Sequence, residues 1–222
     1  MARVGVILSG CGVSDGSEIH EAVLLLLSLD QRGADAKCLS VDEPFTAVNH
    51  LTQKPEHGTR NALAESARIA RGKVGSLAKV KIADFDAFIL PGGFGAAQTL
   101  STYAADGPEC EIHPDVRRVL EEAQAAGKPL GFACIAPVVG ARVFGKLSPR
   151  MTVGRDEETT ANLKAMGAEA VPCDVRDIVA DERHQIASTP AYMEAENLTE
   201  LQLGLDKLVA QILEWVEQPG PT

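Results

Sequence analysis

An α/β fold, with a parallel sheet between two layers of helices, is what three features of this 222-residue sequence predict. Strand-like and helix-like stretches alternate along the chain, the pattern of parallel strands joined by crossover helices. The strand candidates include short, continuously apolar runs, such as residues 4–8 and 87–90, as expected of strands buried on both faces. Small, glycine-rich loops follow those runs, where open sheets of this kind bind ligands. The length suits one core, so residues 1–217 are read as a single domain and 218–222 as a flexible tail.

In chain order, residues 4–8 give the first strand and 10–16 a loop. Ser17 is the expected N-cap of a helix over 18–32, with Ile19, Ala22, Val23, Leu26 and Leu27 on its apolar face and Gly33 as its stop. Residues 36–39 make the next strand. Residues 42–58, with Pro44, Pro55 and Gly58, read as an irregular surface excursion. A helix over 61–71 ends at Gly72. Residues 87–90 form a buried strand that runs into Pro91-Gly92-Gly93-Phe94-Gly95. The helix over 114–126 closes at Gly127 and leads to a strand ending at Cys134. Helices follow over 157–166 and 198–217, with strands at 170–173, 178–180 and 185–188 between them.

Composition narrows the partners. A formal net charge of −10 repels phosphate backbones and anionic lipid, so neither nucleic acid nor membrane is expected. No apolar run approaches bilayer-spanning length. The N-terminus enters a strand at once, with no cleavage site after it. The five cysteines, Cys11, Cys38, Cys110, Cys134 and Cys173, are odd in number and form no CxxC pair. Disulfides and structural zinc are therefore not expected, and the compartment expected is a reducing cytoplasm.

The most informative stretch is Lys128-Pro129-Leu130-Gly131-Phe132-Ala133-Cys134-Ile135-Ala136-Pro137. It reads as a buried strand that stops at a cysteine and becomes a helix within two residues. Pro137 suits the first helical turn, where a missing N–H costs nothing. A sulfur at that bend faces the positive end of a helix dipole, which favours thiolate. Two readings of Cys134 stand on these residues: a presented nucleophile, or one more small buried apolar side chain.

Three loops, 9–18, 91–96 and 134–136, fall at the carboxyl ends of neighbouring strands. Gly92 and Gly93, with the N–H of Ile135, could donate to an oxyanion beside a thiolate; tight-turn packing would explain the glycines equally. Gly10-x-Gly12 invites a dinucleotide reading, but Asp15 stands where the third glycine belongs and no acidic residue ends the second strand, so that fingerprint fails. From the residues alone, Glu18 and Glu21 complement a helix N-terminus. The alternative places Glu21 beside the sulfur, desolvated and sharing its proton.

These runs resemble the ThiJ/PfpI superfamily, with its class I glutamine amidotransferase-like fold, and most closely its ElbB subfamily (enhancing-lycopene-biosynthesis or sigma-cross-reacting proteins, with the related ES1 proteins). Residues 5–13, 15–21, 68–72, 91–97, 126–137 and 189–192 carry the likeness, which extends over nearly the whole chain. The resemblance implies a flavodoxin-like parallel sheet and a homodimer or higher homo-oligomer. It implies Cys134 as nucleophile, Glu21 as its acid partner, and Gly93 and Ile135 as oxyanion donors. It implies a weak glyoxalase-type activity that converts glyoxal to glycolate through a cysteine hemithioacetal, with no metal, glutathione or other cofactor.

Departures from the pattern bear on this. Ile135 stands where PfpI-type peptidases carry a histidine, and the only histidine after the elbow is His184, in a polar turn; peptidase and amidotransferase roles are disfavoured. Residues 149–154 hold no histidine either, and lacking a base with a pKa near 7 costs about 10²–10⁴-fold. The alternative function is a non-catalytic redox sensor or interaction protein in which Cys134 oxidises reversibly. His20 reads as a surface residue. Cys11 is either a resolving thiol or loop packing. Arg60 and Asn61 either contact a substrate carbonyl or cap the helix they open.

Overall fold

The computed structural model describes residues 1–218. Strand β1 (Arg3–Leu8) leads to helix α1 (Ile19–Gln31) and strand β2 (Asp35–Ser40). A hairpin of β3 (Pro44–Asn49) and β4 (Lys54–Asn61) comes next, then α2 (Ala62–Ile69) and β5 (Val74–Ser76). Strand β6 (Ala87–Leu90) and helices α3 (Phe94–Gln98), α4 (Tyr103–Asp106) and α5 (Pro114–Ala125) precede β7 (Leu130–Ala133) and α6 (Pro137–Phe144). After them come β8 (Arg150–Met151), α7 (Glu157–Ala165), β9 (Glu169–Ala170), β10 (Val179–Asp181), β11 (Ile186–Thr189) and α8 (Leu198–Glu217).

Seven strands make one sheet in the order β10-β11-β7-β6-β1-β2-β5. All its pairings are parallel except β10 with β11. The two-residue side-chain period divides each central strand between two cores. Val4, Val6, Leu8, Ala87 and Ile89 face α1 and α8, where they meet Leu25, Leu29, Leu205, Leu208 and Ile212. Ile7, Phe88, Leu90, Leu130 and Phe132 face the other way, onto Val116, Val119, Leu120, Val138 and Val139 of α5 and α6. This is the α/β sandwich the alternation predicts, and it brings the carboxyl ends of β1, β6 and β7 side by side.

Several local expectations change. The N-cap of α1 is Glu18, whose side chain accepts the Glu21 N–H at 2.7 Å. Ser17 instead accepts the Ser9 N–H at 2.8 Å and ties the loop to the end of β1. The buried face of α1 carries Glu21, Ala22, Leu25, Ser28 and Leu29, while Ile19, Val23 and Leu27 are exposed. With leucines at four consecutive positions, residues 24–27, the pattern does not fix the rotation of the helix, and the expected face is out of phase. Residues 42–58 are no irregular excursion: they contribute most of the β3–β4 hairpin, an antiparallel pair with a register shift between Thr46 and Val48. Pro44 opens one strand and Pro55 lies in a two-stranded ribbon with only edges, so neither interrupts a ladder on both sides. Helices α3 and α4 and the edge strand β5 were not expected. Strand β9 pairs with β8, outside the main sheet. Of the expected tail, residues 219–222 lie outside the described residues.

Candidate active site

Cys134 follows β7 directly, with φ 60°, a left-handed conformation that costs an L-residue about 1–2 kcal/mol. The sheet holds it there, since its N–H donates to Thr189 O at 3.0 Å. The positive φ turns the chain sharply into α6, with Pro137 in the first turn as expected. Cys134 is 8% exposed, and it lines a cavity of about 400 Å³.

Glu21 reaches the same point from α1. It lies one turn before Leu25 and two before Leu29 on the face that packs on the sheet, and it is fully buried. Both carboxyl oxygens accept backbone N–H groups: Gly92 donates to Oε2 at 2.7 Å and Tyr192 to Oε1 at 3.2 Å. The carboxyl also hydrogen-bonds the Cys134 thiol.

Gly92 makes this approach geometrically feasible. A Cβ on it would stand 2.4 Å from Cys134 Cβ, 2.8 Å from Sγ and 3.0 Å from Glu21 Oε2. Gly93, at φ 93°, has as little room, with Gly16 O 2.3 Å from where its Cβ would be. The loops interlock through backbone bonds, Glu18 N to Gly92 O at 3.0 Å, Gly95 N to Gly16 O at 2.9 Å and Phe94 N to Val13 O at 2.7 Å.

Burial governs the electrostatics. The Glu21 carboxyl is pushed up to about 7, by desolvation first, with the charge of Glu18 adding and hydrogen bonds from Gly92, Tyr192 and Cys134 acting against it. Burial pushes the Cys134 thiol well above its usual range, and the Glu21 carboxylate pushes it further. The N–H groups of Gly93 and Ile135 hydrogen-bond the sulfur and favour its ionised form. The helix-dipole argument for a free thiolate is thus overridden by desolvation and by the neighbouring acid.

The expected site residues separate into two groups. Cys134, Glu21, Gly92, Gly93 and Ile135 meet. Within that group Gly92 departs from its expected part, because its N–H is committed to Glu21 rather than open to an oxyanion; Gly93 and Ile135 supply the N–H groups at the sulfur. The accessory candidates lie elsewhere. Cys11 does not line the cavity; its charged neighbours are Arg68, Glu65 and Asp15, as fits loop packing. Arg60 pairs with Glu56 at 2.8 Å on the hairpin. Asn61 caps α2 through the Ala64 N–H at 2.9 Å and donates to Asp42 at 2.7 Å. His184 pairs with Asp181 at 2.9 Å, far along the chain from the elbow.

Tyr192 was missed as a site residue. It lines the cavity and holds Glu21, and its hydroxyl lies 2.7 Å from His20 Nδ1. The signal was present in the run Thr189-Pro190-Ala191-Tyr192, which follows β11 at the same sheet edge.

The fold, a parallel sheet with a buried thiol on a strand-to-helix elbow at its carboxyl end, is the one shared by solved ThiJ/PfpI-domain and DJ-1 superfamily proteins. Known proteins agree. Glutamine amidotransferase-like class 1 domain-containing protein 3, mitochondrial, from Homo sapiens is 42% identical over 96% of this chain and 83% of its own length. The ES1 protein homolog, mitochondrial, from Rattus norvegicus is also 42% identical, over 96% of this chain and 84% of its own. The crystal structure of an isoprenoid biosynthesis protein with an amidotransferase-like domain, from Ehrlichia chaffeensis, superposes with a TM-score of 0.89 at 32% identity, covering 96% of this chain and 99% of that one. No protein-family profile matches the chain. The chain belongs to the ES1 family of class I glutamine amidotransferase-like proteins, which includes the ElbB-like proteins.

These names overturn the expected cytoplasmic location, since the curated relatives are called mitochondrial. The scattered cysteines, all free, do not distinguish one compartment from another.

Proposed function

We propose that the site is a cofactor-independent glyoxalase, isomerising a small dicarbonyl aldehyde and hydrolysing it to a hydroxy acid. The observation that carries this reading is the fully buried Glu21 carboxyl, pushed up to about 7 and hydrogen-bonded to the Cys134 thiol. Such an acid both takes and gives protons near neutral pH.

Catalysis begins with the Cys134 proton passing to the Glu21 carboxylate. The sulfur adds to the aldehyde carbon; a C–S bond forms, the carbonyl π pair moves to oxygen, and Glu21 returns its proton to that oxygen. Gly93 and Ile135 N–H groups, next to the sulfur, stabilise the developing oxyanion. Glu21 then removes the hydrogen from the hemithioacetal carbon, and the electron pair shifts towards the adjacent carbonyl to give an enediolate. Glu21 delivers that proton to the second carbon as the hemithioacetal hydroxyl's proton passes to the second oxygen, which leaves a thioester beside a new hydroxyl. Water from the cavity cleaves the thioester, its oxygen joining the acyl carbon and a proton returning to the sulfur. One aldehyde and one water give one hydroxy acid, and thiol and carboxylate are regenerated.

The sensor reading is less well supported, because oxidation by peroxide needs thiolate and both burial and Glu21 hold the sulfur protonated. The decisive experiment supplies glyoxal, without glutathione or metal, to wild type and Cys134→Ser and measures glycolate. Production by the wild type alone is expected; the same background from both proteins would remove the enzyme reading.

A further inference from the structure

The cavity beside Cys134 is larger and more apolar than glyoxal requires. At the roughly 30 Å³ that a water occupies in the liquid, its 400 Å³ would hold about a dozen waters, whereas glyoxal has four heavy atoms. The apolar part of its lining includes Val13, Phe94, Ala97, Ile135 and Met193, with the ring of Tyr103 beside them. Phe94 is 54% exposed and Val13 43%, so an apolar lip continues from the reactive sulfur to the surface. Apolar area left open beside a reactive group favours a ligand with an apolar group that covers it.

Charge narrows the ligand further. The ionisable side chains in the lining, besides Cys134 and the two tyrosines, are Asp156 and Glu158. The Thr159 hydrogen bonds hold the Asp156 carboxyl below the usual range, so it is ionised at neutral pH. Among the described residues, no lysine, arginine or histidine lines the cavity. Arg155, next to Asp156 in sequence, is paired with Glu194 at 3.3 Å. A substrate carboxylate would meet two acids and no counter-charge.

We infer that the site takes an uncharged aldehyde bearing an aryl or branched alkyl group, and that it turns away aldehydes bearing a carboxylate. This rests on the glyoxalase reading for the chemistry, but the selectivity of the pocket is measurable without turnover. The full chain is treated with 2-bromoacetophenone or with iodoacetate, modification of Cys134 is followed by peptide mass spectrometry, and each rate is divided by that of a free thiol with the same reagent. The expected result is a normalised rate roughly tenfold or more higher for the aryl ketone, with the gap narrowed in the Asp156→Asn, Glu158→Gln double variant. Turnover is measured in parallel, and kcat/KM for phenylglyoxal is expected to exceed that for glyoxal, with glyoxylate inert. Equal normalised rates overturn the inference even where glyoxal is consumed. Selective modification with no aldehyde consumed overturns the glyoxalase reading and leaves the pocket's preference standing.

Discussion

Tyr192 and Glu21, 171 positions apart in sequence, are joined by a hydrogen bond from the tyrosine's backbone N–H to Oε1 at 3.2 Å. Since Gly92 donates to the other oxygen, the carboxyl is held between two main-chain amides, one in the loop after β6 and the other just after β11. Main-chain donors fix its orientation, and its proton can be directed only along the remaining lone-pair directions, one of which meets Cys134.

That burial predicts a pH-dependent stability. Glu21 is pushed up to about 7 in the folded chain against 4.5 unperturbed. Between these values the folded state keeps a proton the unfolded state has released, so stability falls as pH rises from about 4.5 to about 7 and is flat above. The loss from this group is on the order of 3 kcal/mol. Glu21→Gln leaves one backbone N–H without its acceptor and is destabilised at acid pH, but its chemical-denaturation profile should lose the slope over that interval. A variant keeping the wild-type slope would show that another group titrates there.

Activity should follow the same carboxyl with the opposite sense. Below about 7 solvent protonates Glu21, which then cannot accept the thiol proton, so kcat/KM should drop about tenfold per pH unit. It should hold level above 7, because the Cys134 proton is retained well past the ordinary thiol range. Glu21→Gln should lose about 10²–10⁴-fold. An activity that keeps rising steadily from pH 7 to 9 would mean that free thiolate formation, not Glu21, limits the rate.

Gly92→Ala tests the close approach. Its methyl would stand 2.4 Å from Cys134 Cβ, between two elements of the sheet that cannot easily separate. A loss of about 1–3 kcal/mol is expected, with activity abolished. Thermal unfolding unchanged from wild type would mean that the elbow yields far more easily than this packing implies.

Cys134 carries backbone strain, and replacing it should reveal how much. In a regular strand glycine is worse than alanine by about 0.5–1 kcal/mol. At φ 60° alanine bears a left-handed penalty of about 1–2 kcal/mol that glycine escapes. Cys134→Gly is therefore expected to be at least as stable as Cys134→Ala in urea titrations. The reverse order, by more than about 0.5 kcal/mol, would contradict a strained elbow.

The sheet and the elbow could be read from residue patterns because they depend on local signals: continuous apolar runs for β1 and β6, and Pro137 three residues after Cys134. The hairpin could not. Strand β4 is exposed at most of its positions, so no alternation of apolar and polar residues marks it. Glu21 was ambiguous for a different reason. Its spacing to Leu25 and Leu29 places it on the core face, but the adjacent leucines offered a second, incorrect face. Arg60 and Asn61 carried the right chemistry for a site, and only the ion pair to Glu56 and the cap on α2 show that they are used elsewhere. Tyr192 holds Glu21 through its amide, which any residue but proline would supply, so its place just after β11, rather than its side chain, signals that hold.

Consecutive amides, those of Gly92 and Gly93, grip the acid and the sulfur respectively. A rotation in that single linkage would move both partners together, so neither can be retuned alone. Replacements that keep Cys134 and Glu21 and put no Cβ on either glycine leave this grip intact. Phe94, Tyr103 and Met193, which line the cavity without touching either amide's bond, are then the positions where its shape can change and the grip stay the same.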